Sequence, residues 1–93
     1  MSLYTILLDF RGGTYLHQLE AESVEEAVAD WARELDIAAI SGFDPAERDE
    51  LIRAVDDDPP IAINGMRGVW CVSAGLEAGL ALAHVICTAP ANE

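Results

Sequence analysis

Ninety-three residues with five arginines, no lysine and 17 acids carry a formal net charge of −12. That length suits one modest core and one domain, residues 1–93, and a hydrophobic share of 52% marks a chain that folds. So acidic a surface repels phosphate backbones and anionic membranes, so no nucleic-acid or membrane partner is expected; a basic protein partner, a cationic ligand or plain solubility remains.

The start, MSLYTILLDF, has no basic n-region, and Asp9 interrupts its apolar run too early for a signal peptide. The uncharged span 78–92 is too short to cross a bilayer and contains His84. Two cysteines without an export signal are expected as reduced thiols, which places the chain in the cytoplasm.

Residues 4–21 alternate apolar and polar side chains about Gly12-Gly13, the pattern of a hairpin turning at the two glycines. That turn sets Phe10 opposite Tyr15, Leu8 opposite His17 and Ile6 opposite Leu19. Tyr4, Ile6, Leu8, Phe10, Tyr15, His17 and Leu19 then share a packed face, and Thr5, Leu7, Asp9, Arg11, Thr14, Leu16, Gln18 and Glu20 a mostly wet one. No glycine-rich loop leads into a helix here, so a turn is favoured over a phosphate cradle.

Ser23-Val-Glu-Glu26 fits a capping box, and Val24, Ala27, Val28, Trp31 and Leu35 form the apolar stripe of a first helix. The segment 37–43 is expected to tuck Ile37, Ile40 and Phe43 onto the core. Asp44-Pro45-Ala46-Glu47 starts a second helix, with an acidic cap and proline at the first helical position. It is expected to end before residues 56–60, DDDPP, because aspartates at a helix C-terminus oppose its dipole. The stretch GGTYLHQLEAESVEEAV, 12–28, is similar to the start of HicB-type antitoxin domains, in which a hairpin precedes S-x-E-E-A. The proline-glycine-cysteine segment and the DNA-binding tail of those domains are missing, and the last third has no counterpart there.

The final third reads as strands again. Ile61 to Ile63, a turn at Asn64-Gly65 and a strand from Met66 to Ala74 form one hairpin. The chain then turns through 75–79 and returns as residues 80–88. The expected fold is α+β: a single antiparallel β-sheet with two helices on one face, order ββααβββ.

Pairing Gly75 with Gly79 sets Trp70 opposite His84 and Val72 opposite Leu82. Trp70, Val72, Leu80, Leu82, His84 and Ile86 would then lie under the helices. The other face would carry Val69, Cys71, Ser73, Ala81, Ala83, Val85 and Cys87, small and uncharged, and an exposed patch of that kind marks an interface. These seven are the interface candidates of a homodimer. In the same register Cys71 lies about 13 Å from Cys87 along the strands, too far for a disulfide or a shared metal. His84 would project away from both thiols, so neither metal nor cofactor is expected and no catalytic residue is assigned. Function is read as a non-enzymatic protein-interaction module, self-associating through its C-terminal hairpin, with a basic protein as a further partner. The alternative is an enzymatic or small-molecule-binding domain with a pocket lined by Tyr15, His17, Trp31, Trp70 and His84 between the first helix and the sheet.

Overall fold

Arg11 and Gly12 both take positive φ, 50° and 82°, and make the two-residue turn that joins strands β1 (Ser2–Phe10) and β2 (Gly13–Ala21). Two left-handed residues match the twist of a hairpin, and here arginine takes the first position. The expected Gly12-Gly13 turn is therefore displaced by one residue, and pairing shifts by two: Phe10 faces Gly13, Leu8 faces Tyr15 and Ile6 faces His17. A shift of two preserves which side chains share a face. Tyr4, Ile6, Leu8 and Phe10 are buried in the core, with Tyr15 and Leu19 packed against them. These strands and the rest of the fold come from a computed structural model that describes residues 1–90.

Helix α1 (Val24–Glu34) starts where expected, the Glu26 N–H donating to Ser23 Oγ at 3.2 Å. A 3₁₀ turn (Ile37–Ala39) follows, and Ile40 and Phe43 enter the core, Phe43 edge-on to Phe10 at 5.2 Å. Helix α2 (Pro45–Asp57) is capped by Asp44 Oδ1, which accepts from the N–H groups of Ala46 and Glu47. It runs through Asp56 and Asp57, past the expected end. Both side chains are exposed, where solvent screens them from the helix dipole. Arg48 of α2 clamps the C-terminus of α1, its guanidinium donating to the carbonyls of Ala32 at 3.3 Å, Arg33 and Leu35. Ala32 and Arg33 lie in the last turn of α1 and Leu35 is its C-cap, so these carbonyls have no partner within the helix.

Strand β3 (Ile61–Ala62) pairs with β4 (Val69–Leu76) through Ile61–Cys71 and Ala62–Trp70. The Asn64-Gly65 turn is present, Met66 N–H bonding to Ile63 O at 3.2 Å, but it lies inside a wider loop that β4 leaves only at Val69. Strand β5 (Gly79–Ala89) returns antiparallel to β4 and to β1. The sheet runs β2-β1-β5-β4-β3, with both helices packed on one side. This is the α+β architecture the sequence leads one to expect, in the order ββααβββ.

Register in the last hairpin differs from expectation by one residue, and this changes the surface. Leu76 pairs with Gly79, leaving Glu77 and Ala78 as the turn, and Glu50 of α2 accepts the Glu77 N–H at 3.2 Å. Trp70 therefore faces Val85, Cys71 faces His84 and Val72 faces Ala83. A slip of one sends every side chain of β5 to the other face. Ala81, Ala83 and Val85, placed at an interface from the sequence, are instead 2%, 2% and 0% exposed under the helices, beside Val72 and Ala74. Leu80, Leu82, His84 and Ile86, expected there, are on the outer side, and none is buried.

Candidate functional site

Alternation along the strands assigns an outer face that the helices do not cover. It carries Leu3, Thr5, Leu7 and Asp9 of β1, Thr14, Leu16, Gln18 and Glu20 of β2, and Leu80, Leu82, His84, Ile86 and Thr88 of β5. Val69, Cys71 and Ser73 of β4 and Ile61 of β3 complete it. None of these residues is buried. Leu16, Ile61 and Leu80 are 68, 71 and 62% exposed.

Direct pairing aligns one row across all five strands: Leu16, Leu7, His84, Cys71 and Ile61. The next row toward the open end of the β1–β2 hairpin holds Gln18, Thr5, Ile86 and Val69, and the row on the other side holds Thr14, Asp9, Leu82 and Ser73. The polar side chains of those rows on β1 and β2 are hydrogen-bonded. Gln18 Nε2 donates to Thr5 Oγ1 at 2.9 Å, Thr5 pairs with the Thr88 hydroxyl, and Thr14 Oγ1 donates to Asp9 Oδ1 at 2.8 Å. The result is a face that is polar toward β2 and largely apolar across β5, β4 and β3. Of the strand residues on this face only Asp9 and Glu20 are acidic and none is an arginine, while Asp58 borders it at the β3–β4 edge, lining a pocket with Ile61, Cys71 and Ser73. The negative charge is gathered on the helices and loops.

Of the seven interface candidates, Val69, Cys71 and Ser73 are on the outer face. Ala81, Ala83 and Val85 are core residues, and Cys87 packs against the core while its N–H donates to Gly68 O at 2.8 Å. Both thiols are free and partly exposed, and they occupy opposite faces. The geometric ground for keeping Cys71 apart from His84 falls with the register, since the two are direct cross-strand partners on one face. Leu7 and Leu16 were visible in the sequence as leucines on an otherwise polar face. Leu80, Leu82 and Ile86 were hidden by the register.

The pocket candidates do not converge. Tyr15 and His17 line a shallow cleft of 370 Å³ between β2 and residues 35–40, with Asp36 at its wall. His17 Nε2 lies 4.0 Å from Glu34 Oε1 and has no hydrogen bond. Trp31 is buried with its indole N–H unpartnered. Trp70 packs against Tyr4, ring centroids 6.2 Å apart, and His84 is on the outer face. No group of three or more metal-capable side chains forms among the described residues, and no described helix is long and apolar enough to cross a membrane.

The perturbed carboxyls are at the cap of α2. Burial, reinforced by the Asp44 and Glu50 carboxylates, pushes Glu47 above its ordinary value, while the Glu47 N–H donated to Asp44 holds Asp44 below its own. This pair shapes a helix start, and neither carboxyl lines the cleft beside Tyr15 and His17. Compared with protein-family profiles, curated proteins and solved structures, the chain matches none.

Proposed function

We propose that this protein is a non-enzymatic interaction module that self-associates through the outer face of its sheet. One observation supports it above the others: a mostly apolar face reaching across all five strands, left open by both helices and nearly free of charge on a chain of net charge −12. Five strands at about 4.8 Å and some eight residues at about 3.3 Å give a flat area of roughly 500–600 Å². Side-chain relief raises its accessible area toward the about 600–1,000 Å² per partner of a specific interface. A second copy is the natural occupant because a two-fold pairing would meet this face with itself and turn both acidic helix layers outward. Of the two segments with the reach to shield this face, residues 36–43 are drawn to the other side by Ile40 and Phe43, and of residues 56–60 Asp58 and Pro59 border it at the β3–β4 edge beside Ile61, Cys71 and Ser73.

Sedimentation equilibrium over a concentration and salt series tests this. A two-chain mass is expected, tightening with salt as repulsion between acidic chains is screened, and Ile86→Asp is expected to give single chains. A single-chain mass for the wild type at high salt and high concentration overturns the reading.

A further inference from the structure

We propose that Cys71 and His84 are half of a zinc site that a second copy of this chain completes. The proposal rests on the self-association reading and adds a ligand to it. The two residues face each other across antiparallel β4 and β5, both on the outer side. At such positions the Cβ atoms lie about 4.5–5.5 Å apart, so a thiolate and an imidazole can turn toward one ion. Among the described residues neither side chain has a hydrogen-bond or ion-pair partner.

One chain cannot close such a site. Zinc in a structural role takes four ligands, and among the described residues no third metal-capable side chain joins this pair. The position of the pair supplies the rest. β5 is the middle strand of the five, and His84 lies in the middle row of the outer face. A two-fold axis through the middle of a self-complementary face brings residues there against their own copies. Packed sheets stand about 10 Å apart, so an ion midway is about 5 Å from each backbone layer. A histidine or cysteine side chain spans that distance with its metal bond of about 2.0–2.3 Å.

Two cysteines and two histidines are a donor set of closed structural zinc sites. Two thiolates also cancel the ion's two charges, so the centre of the interface would bury no net charge. Leu7 on one side of the pair and Ile61 on the other would shield the site from water.

The test is a titration of the chelator-treated, reduced protein with cobalt(II) followed by its thiolate-to-metal and tetrahedral absorption bands, with sedimentation in parallel with and without zinc chloride. Saturation is expected at one ion per two chains, with dimer affinity raised at least tenfold by zinc. Cys71→Ser should lose the thiolate band and His84→Ala the zinc-dependent tightening. Both are partly exposed positions that leave the core intact, and Cys87→Ser on the core side should retain both effects. One ion per chain, or an unchanged spectrum in Cys71→Ser, overturns the proposal. Chains that pair without binding cobalt overturn it and leave the self-association reading standing. Single chains throughout, with or without zinc, overturn both.

Discussion

Val85 and Ile86 are neighbours on β5 and of similar chemistry, yet the same substitution should have opposite consequences at the two. Val85 is 0% exposed beneath the helices, whereas Ile86 is partly exposed on the outer face, between Thr5 and Val69. Val85→Asp forfeits about 1.5–3 kcal/mol of side-chain burial. It also leaves a carboxylate without a partner in the core, an effective penalty of several kcal/mol. A chain of this length holds roughly 5–14 kcal/mol of total stability, so Val85→Asp should be largely unfolded or protonated at that site. Ile86→Asp puts its carboxylate in water and should cost about 1 kcal/mol in the isolated chain, a melting shift of about 4–8 °C. Far-UV circular dichroism melts at low protein concentration measure both. A cooperative, near-wild-type melt for Val85→Asp together with collapse of Ile86→Asp would refute the pairing of Leu76 with Gly79 and restore the slipped register.

Arg48→Gln should cost about 1–3 kcal/mol by removing charged donors from the terminal carbonyls of α1, read as a lower urea midpoint with unchanged slope. Glu47→Gln concerns the cap of α2. The raised Glu47 contributes stability below its ordinary value of 4.5 that is lost as pH rises through its folded value, and the lowered Asp44 contributes stability above 3.8 that is lost as pH falls through its own. Glu47→Gln should therefore raise the melting temperature at neutral pH and flatten its rise on mild acidification, while the loss in stronger acid persists. A melting profile parallel to the wild type from about pH 3 to pH 7 would contradict this assignment.

Helix starts were legible because they are local: Ser23 and Asp44 accept the N–H groups three residues on, and each precedes an apolar stripe. The core face of the first hairpin was legible for a different reason, since displacing its turn by one residue shifts both strands and preserves the alternation. The last hairpin did not have that protection. Gly75 and Gly79 suggested a symmetric turn, but the turn residues are Glu77 and Ala78, and the Glu77 N–H is held by Glu50 from α2, a contact distant in sequence. That single residue of slip moved His84 to the side of Cys71 and exchanged an expected outer face of small residues for one that carries leucines, two isoleucines and a valine. The composition of the outer face was therefore hidden until the register was known, although Leu7 and Leu16 already showed that it was not simply polar.

The position of β5 also bears on synthesis. It comes after every other element in the chain and yet lies between β1 and β4, pairing Leu3 with Ala89 and Phe10 with Ala81. A nascent chain that has emerged only as far as residue 78 holds both hairpin edges but not the strand that joins them. The two halves of its core cannot seal, and closure waits on contacts of the greatest sequence separation, the slow kind. During that interval neighbouring chains on one messenger expose matching vacant edges, into which the β5 of another copy fits as well as their own. The acidic side chains, most of them from the first helix onward, hold such chains apart by repulsion while β5 is still to come.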